Sequence, residues 1–337
     1  MNAKRRIIPV FVPHLGCPND CVFCNQRRIS GAIEPATAET VKKAINNAGI
    51  ESGGCEEWEL AFYGGSFTAI DECERLKLLD AAADFVNRGG SLRLSTRPDC
   101  IDEYVLNQLK NAGVKTIELG CQSMDDGVLQ KSGRGHTADD TVNAVKLAKK
   151  FGFEVILQMM TGLPGDSLEK SMYTARSLAA LKPDGIRIYP TVIIKDTPLC
   201  DLWKCGKYSE HTVDEAADWC SEIITVFEDA DIPVIRLGLN PTDDLSGGDA
   251  LAGAYHPAFG ELVYSRAFLR KAQLLLRCAG KVKRVQIGVH TGSVSKMSGH
   301  KKQNISMLKD EFGLEEIKIK GIAELAKDEV VLISIEK

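Results

Sequence analysis

The chain has 337 residues, of which 44% are hydrophobic and 26% charged, and its formal net charge at pH 7 is −4. This length can bury a large core, and the charge gives no overall attraction to nucleic acid. No apolar run reaches the ~18 residues that cross a bilayer, so we expect no membrane contact. Because Pro9 and Pro13 interrupt the amino-terminal apolar run, we identify no secretory signal and expect a cytoplasmic protein whose eleven cysteines are reduced.

Short apolar runs alternate with amphipathic stretches, a pattern that predicts a parallel sheet with crossover helices. The predicted strands are Arg6–Val12, Glu57–Phe62, Leu92–Thr96, Lys115–Leu119, Glu154–Met159 and Gly185–Tyr189. The helices predicted between them are Thr40–Ala48, Asp71–Asn87, Asp102–Ala112, Ala138–Phe151 and Leu168–Leu181. Six such units predict an α/β fold, a partial (β/α)6 TIM-like barrel with its active site at the carboxyl ends of the strands.

The pattern changes after Tyr189. A helix is predicted at Val213–Glu228, followed by a strand at Val234–Leu237. The remaining residues mix a helix with strands, at Glu261–Cys278, Val282–Val289 and Val330–Glu336. We therefore expect a barrel domain at 1–235 and a small carboxyl-terminal α/β domain at 236–337.

Three cysteines follow the first predicted strand: Cys17, Cys21 and Cys24 have the spacing C-x3-C-x2-C. A four-iron cubane needs four thiolates to be closed, so a loop supplying three leaves one iron open to an outside ligand. The next cysteine, Cys55, lies beyond any local loop. The alternative is a zinc site in which His14 is the fourth ligand.

A second candidate site follows the second predicted strand, where Gly64, Gly65 and Ser66 occur in FYGGSFT. Adjacent glycines let bare backbone approach a ligand where a Cβ would intrude. A tight turn without a ligand is the alternative.

These motifs resemble those of radical S-adenosylmethionine (SAM) enzymes, in which an aromatic residue such as Phe23 precedes the last cysteine. Three further segments, RLSTRPD, IELGCQSMDDGVLQKSGRGHT and IRIYPTVIIKDTPLCDLWKCGKY, are similar to the radical SAM half of the Elongator catalytic subunit, a tRNA wobble-uridine modifying enzyme. Together the similar segments cover roughly residues 5–208. A broader resemblance, through CQS, GRGH and GLPG, is to oxygen-independent coproporphyrinogen oxidase.

The resemblance implies that Cys17, Cys21 and Cys24 bind a [4Fe-4S] cluster, at which SAM is cleaved to a 5′-deoxyadenosyl radical. It also implies a set of SAM contacts. Phe23 would lie near the adenine, Gly64, Gly65 and Ser66 would hold the methionine part, and Gln122 and Arg134 would contact the ribose and carboxylate. At two further positions in the same pocket, the chain has Ser95 where the relatives carry Glu and Gln158 where they carry Asp or His.

The resemblance further implies tRNA as a partner and a reducing electron donor such as flavodoxin or ferredoxin. Phosphate contacts would come from short basic runs at Lys4-Arg5-Arg6, at Lys281, Lys283 and Arg284, and at Lys301-Lys302. We find no counterpart of Elongator's acetyltransferase segment or zinc linker, so acetyl-dependent chemistry is not expected. Two alternatives stay open: a porphyrinogen- or haem-related radical SAM protein, and a non-enzymatic iron-sulfur or zinc binding module.

The serine at position 95 gives the first prediction. Replacing Ser95 by Glu restores the carboxylate found in the relatives, so Ser95→Glu should spare or tighten SAM binding. Calorimetric titration of SAM into the anaerobically reconstituted protein measures this. A severe loss of affinity in Ser95→Glu would show instead that the serine is a specialisation of this pocket.

Overall fold

The structure, a computed structural model, describes residues 6–12, 15–18, 20–25, 36–50, 54–240 and 245–336. These residues form two compact units. The first comprises the described residues up to Thr212 together with Val226–Tyr255, and the second comprises Val213–Thr225 with the described residues from His256 onward. No helix within the described ranges has the length and apolar character needed to cross a membrane.

The first unit is built on a parallel sheet of seven strands that curls into a half-barrel. Its strands, in spatial order, are β1 (Arg6–Val12), β2 (Trp58–Gly64), β3 (Ser91–Thr96), β4 (Val114–Gln122), β5 (Glu154–Thr161), β6 (Gly185–Pro190) and β8 (Val234–Leu237). A separate antiparallel pair is formed by β7 (Val192–Ile194) and β9 (Ala250–Gly253). The α/β half-barrel expected from the sequence is confirmed.

Helices connect the strands. They are α1 (Ala38–Asn47), α2 (Glu72–Asp80), α3 (Ala83–Asn87), α4 (Glu103–Asn111), α5 (Asp126–Lys131), α6 (Ala138–Lys150), α7 (Leu168–Ala180), α8 (Pro198–Lys204) and α9 (Val213–Asp229). Short polar side chains begin many of them; for example, the hydroxyl of Thr137 accepts from the backbone N–H of Asp140 at the start of α6. Such caps satisfy amide groups that have no partner inside the helix.

The sheet differs from the sequence expectation in two ways. A seventh strand, β8, which the sequence analysis placed after the six barrel units, pairs with β6 and extends the sheet. The second difference is that β4 extends to Gln122, which was expected just after the strand. The single helix predicted over Asp71–Asn87 is two helices, α2 and α3.

The second unit contains α10 (Phe259–Ala279), β10 (Arg284–His290), α11 (Val294–Ser298), α12 (Gln303–Phe312), β11 (Glu316–Ile322) and β12 (Val330–Glu336). Strand β10 is central, parallel to β11 and antiparallel to β12. Its core includes Phe268, Leu276, Ile287, Met297 and Leu308. This is the small α/β arrangement expected at the carboxyl terminus. The boundary at residue 235 stays a prediction, because compactness alone does not establish where an independently folding domain ends.

Candidate functional site

The cysteine loop and the glycine turn are in direct backbone contact at the carboxyl ends of β1 and β2. The N–H of Gly65 donates to the carbonyl of Val12 at 2.9 Å, and the N–H of Ser66 donates to that of Leu15 at 2.8 Å. A Cβ at Gly65 would lie 2.0 Å from the Leu15 oxygen, and one at Gly16 would lie 2.2 Å from the Ser66 oxygen. Both glycines are therefore required by packing between the two loops, whether or not a ligand also approaches them.

A second contact fixes the cysteine loop from the side of β4. The N–H of Val22 donates to the Ser132 carbonyl at 3.1 Å, and Gly133, at φ +68°, allows the close approach. From the same segment, the buried guanidinium of Arg134 donates to Cys21 Sγ at 3.3 Å and to the Gly120 carbonyl at 2.5 Å. Arg134 thus brings a positive charge to the buried sulfur of Cys21.

The end of β4 is irregular at the predicted ribose contact. The strand register shifts between Gly120 and Gln122, and Gln122 has a left-handed φ of +65°. Its side chain lies close to that of Gln158 on β5, with 3.5 Å between Gln158 Nε2 and Gln122 Oε1. A Cβ at Gly120 would crowd both Gln122 Nε2, at 3.1 Å, and Arg134 Nη2, at 3.3 Å. Arg134, Gln122 and Gln158, all predicted from the sequence, therefore lie together.

The other predicted residues have different surroundings. The Ser66 hydroxyl is buried, 2.9 Å from Thr96 Oγ1, and accepts from the N–H of Arg97 at 3.3 Å. Half-buried Ser95 stands opposite Glu118 in the register of β3 and β4. Phe23 packs against an apolar cluster around Ile193. Both the hydroxyl and the backbone N–H of Ser66 therefore already have hydrogen-bond partners within the protein.

The cysteine loop supplies three thiols, of which Cys21 is buried and the other two are partly buried. Within the ranges described, no three His, Cys, Asp or Glu side chains are grouped closely enough to hold one metal ion. Each cysteine of a cubane binds a different iron. The cysteine sulfurs around a cubane therefore stand further apart than the ligands of a single metal ion. Burial, and then the neighbouring Cys21, raise the pKa of the Cys17 thiol. His14, on which the zinc alternative depends, lies outside the described residues.

The interior of the half-barrel contains a network of charges that the sequence analysis did not identify. Glu118 on β4 accepts from Arg93 Nη1 at 2.9 Å and from Arg187 Nη2 at 2.8 Å, and Arg93 Nε donates to Glu59 at 2.7 Å. Glu59 and Glu118 are only 1% and 2% exposed. A signal was present, because these charges occupy alternate positions in otherwise apolar strands, as in the segments LRLS, IELG and IRIY.

Two tyrosines extend this network. Arg187 Nη2 donates to the Tyr63 hydroxyl at 3.1 Å and Nη1 donates to the Tyr189 hydroxyl at 3.3 Å, while the guanidinium lies 5.3 Å from the centre of the Tyr63 ring. Burial, and then the charge of Glu118, raise the pKa of Tyr63 to about 12. The phenol therefore stays protonated at neutral pH, and these side chains hold one another in fixed positions.

A buried histidine follows Arg134. The Nε2 atom of His136 lies 3.2 Å from the Cys121 carbonyl, and burial, followed by the charge of Arg134, lowers its pKa to about 4. The next residue, Thr137, supplies the cap of α6. His136 is therefore neutral at physiological pH and can donate a hydrogen bond to Cys121.

A half-barrel with a three-cysteine loop at its strand ends is typical of one class of proteins. Comparison of the sequence with known protein families identifies that class. The Radical SAM superfamily matches residues 11–178, and the Radical_SAM C-terminal domain matches residues 183–268. The chain belongs to the radical SAM superfamily. Members of this superfamily bind a [4Fe-4S] cluster and SAM.

Within the superfamily, the chain is 31% identical over 221 residues to an uncharacterised protein of Methanocaldococcus jannaschii, covering 62% of this chain and 67% of that protein. It is also similar to the tRNA uridine(34) acetyltransferase of Methanocaldococcus infernus, at 30% identity over 56% of this chain and 34% of that protein. The chain thus spans about a third of the acetyltransferase, within its radical SAM portion.

A solved structure shows the same fold. The archaeal Elp3 of Methanocaldococcus infernus, with an amino-terminal deletion, superposes with a TM-score of 0.61 at 23% identity, covering 85% of this chain and 67% of that one. The likeness to coproporphyrinogen III oxidase of Escherichia coli is weaker, with a TM-score of 0.50 at 17% identity over 67% of this chain and 53% of that one. The resemblance to the radical SAM portion of Elongator, which was inferred from the sequence motifs, is confirmed.

The histidine gives a prediction about pH. Because the folded pKa of His136, about 4, lies below the unfolded value of 6.5, the unfolded chain takes up the proton first as pH falls. Stability contributed by neutral His136 is therefore present above pH 6.5 and is lost between pH 6.5 and about 4, by about 3 kcal/mol. Urea unfolding at several pH values should show a shallower acid dependence for His136→Gln. An unchanged slope would contradict this.

The charge network gives a prediction about stability. Replacing Glu118 by Gln leaves the guanidinium groups of Arg93 and Arg187 without their shared buried anion. We expect a loss of about 3–5 kcal/mol in the free energy of unfolding, measured by urea denaturation. The control is Glu103→Gln, which removes an exposed carboxylate paired with Lys150 and should shift the transition far less. Equal shifts would mean that the buried ion pairs of Glu118 contribute no more to the free energy of unfolding than the exposed pair of Glu103.

Proposed function

We propose that the chain reductively cleaves SAM at a [4Fe-4S] cluster bound by Cys17, Cys21 and Cys24. The observation that carries the proposal is the junction at the strand ends, where the cysteine loop, the Gly64–Ser66 turn and Arg134 are held together by direct contacts. When bound, the cluster and SAM together supply a 5′-deoxyadenosyl radical.

Each residue of this junction has a proposed task. Arg134 offsets the negative charge of the thiolates through its contact with Cys21. The paired amides of Gln122 and Gln158 can donate to and accept from the ribose, and the backbone at Gly64, Gly65 and Ser66 binds the methionine part. Ser95 offers the same pocket a neutral hydroxyl, and Phe23, within the cysteine loop, would lie near the adenine.

The charge network lies in the interior of the half-barrel and would position the substrate there. Because Glu118, Arg93 and Arg187 are joined by charge-assisted hydrogen bonds in a buried site, we expect them to keep their positions when a substrate binds. A fixed interior limits how far a reactive group can move and excludes water from it.

We further propose that the substrate is a nucleoside in tRNA. The support is the similarity to proteins named as a tRNA uridine(34) acetyltransferase and as Elongator complex protein 3 of Schizosaccharomyces pombe, the latter at 31% identity over 44% of this chain and 28% of that protein. Acetyl transfer itself is not proposed, because the similarity covers only the radical SAM portion. A cytoplasmic location and a one-electron donor such as flavodoxin or ferredoxin complete the proposal.

The cluster proposal is tested by replacing one thiol. Cys21→Ala should abolish both the visible absorption of the reconstituted protein and the release of 5′-deoxyadenosine with dithionite and SAM, because an open cubane needs all three thiolates. Cys73→Ala, which removes an exposed cysteine of α2, is the matched control and should retain both. Retained absorption and turnover in Cys21→Ala would contradict the assignment.

The substrate proposal needs a different measurement. Nucleosides from tRNA of strains with and without the gene should differ by one modified nucleoside, detected by mass spectrometry. Restoring the gene should restore that nucleoside, whereas a gene carrying Cys21→Ala should not. Identical nucleoside profiles in all strains would exclude this tRNA substrate while leaving SAM cleavage intact.

A further inference from the structure

The second compact unit has a chain order that the proposed chemistry does not use. Strand β10 is followed by two helices, α11 and α12, and the chain returns in β11, parallel to β10. Strand β12 pairs antiparallel with the other edge of β10. The helices pack on the sheet through Met297 and Leu308, which are fully buried. This is a βααβ unit with a core of its own.

The turn between the two helices, Gly299–Lys302, is held in place from inside. The buried side chain of Asn304 donates to the Ser265 carbonyl at 2.8 Å and to the Lys296 carbonyl at 3.2 Å, which joins α12 to α10 and α11. A Cβ at Gly299 would lie 2.9 Å from this side chain. Asn304 therefore sets the course of the turn before any partner binds.

The order of strands and helices, with a turn that begins at a glycine between the helices, is that of a known class of RNA-binding module. In KH modules a βααβ unit carries a G-x-x-G loop between its helices, and this loop clamps the backbone of four nucleotides. Here the order is Gly299-x-x-Lys302, followed by Ile305 and Leu308 against the core. Lys302 replaces the second glycine but keeps a left-handed φ of +62°, the conformation glycine favours.

The charge of the turn suits a phosphate backbone. His300, Lys301 and Lys302 are exposed, and in the part of the chain that the structure describes none of them forms an ion pair. The other basic run of this unit differs, because Arg284 lies 3.5 Å from Glu315 and 3.4 Å from Glu336. The ten residues of α12, about 15 Å of helix, separate the two runs.

From the topology, the anchored turn and its uncompensated charge, we infer that the second unit is a KH-like module. Its Gly299–Lys302 turn contacts the sugar-phosphate backbone of a single-stranded RNA segment. The inference rests on the proposed function only for the identity of that RNA as tRNA. Phosphate contacts of this kind position an RNA without reading its sequence.

The test compares two double variants of the full chain that change the net charge equally. Lys301→Glu with Lys302→Glu reverses the turn, and Lys281→Glu with Lys283→Glu reverses the run at the far end of α12. Fluorescence anisotropy with labelled oligouridylate and with a tRNA transcript is measured across a salt series. We expect the turn variant to lose about tenfold or more in affinity and about one unit of salt slope, at about 0.7 per phosphate contact. The control should lose far less.

Two outcomes would overturn the inference. Equal losses in both variants would assign RNA binding to overall charge, and no loss in the turn variant would remove the turn from the interface. Circular dichroism checks that both variants fold, and Lys301→Gln with Lys302→Gln provides a milder replacement if the charge reversal unfolds the unit. Release of 5′-deoxyadenosine without RNA should be unchanged in every variant, so loss of RNA binding is distinguishable from failure of the proposed chemistry.

Discussion

The close backbone contact between residues 15–16 and 65–66 is the constraint on which the site depends. Two loops that are about fifty residues apart in the sequence share backbone hydrogen bonds and approach so closely that neither Gly16 nor Gly65 has room for a side chain. The contact fixes where the cysteine loop leaves β1. It also places the loop within reach of Arg134, which follows α5. The position of the thiols is thus set at the ends of β1 and β2 and by the segment after α5.

The interior of the half-barrel shows a second way of fixing a site. Charged side chains are rarely buried, because removing them from water is costly unless each finds a partner. Here Glu118 accepts hydrogen bonds from two arginines, Arg93 on β3 and Arg187 on β6, and both arginines have further acceptors. A buried network of this kind contributes less to stability than an apolar core of the same volume, but it leaves each side chain a single orientation. Fixed side-chain orientations are useful next to a site where a reactive group must be kept in place.

Local patterns in the sequence predicted much of this structure. The bounds of β1 and β8 are those predicted, because alternation and flanking breakers define such strands well. The grouping of Arg134, Gln122 and Gln158 was also predicted from matched motifs. The bulge at the end of β4 was not, because a register shift depends on the neighbouring strands. The charge network was not predicted either, since partners on four strands meet only after the sheet has curled.

The open edge of the sheet has a consequence for what can enter it. Its order begins at β1 and ends at β8, and among the described strands these two are not paired with each other. Pro9, which cannot donate to a neighbouring strand, lies in β1 and suits that outermost place. A closed barrel would admit only compounds small enough to pass its mouth. By contrast, the interior of a half-barrel whose two outermost described strands do not pair is not enclosed on every side by its own strands.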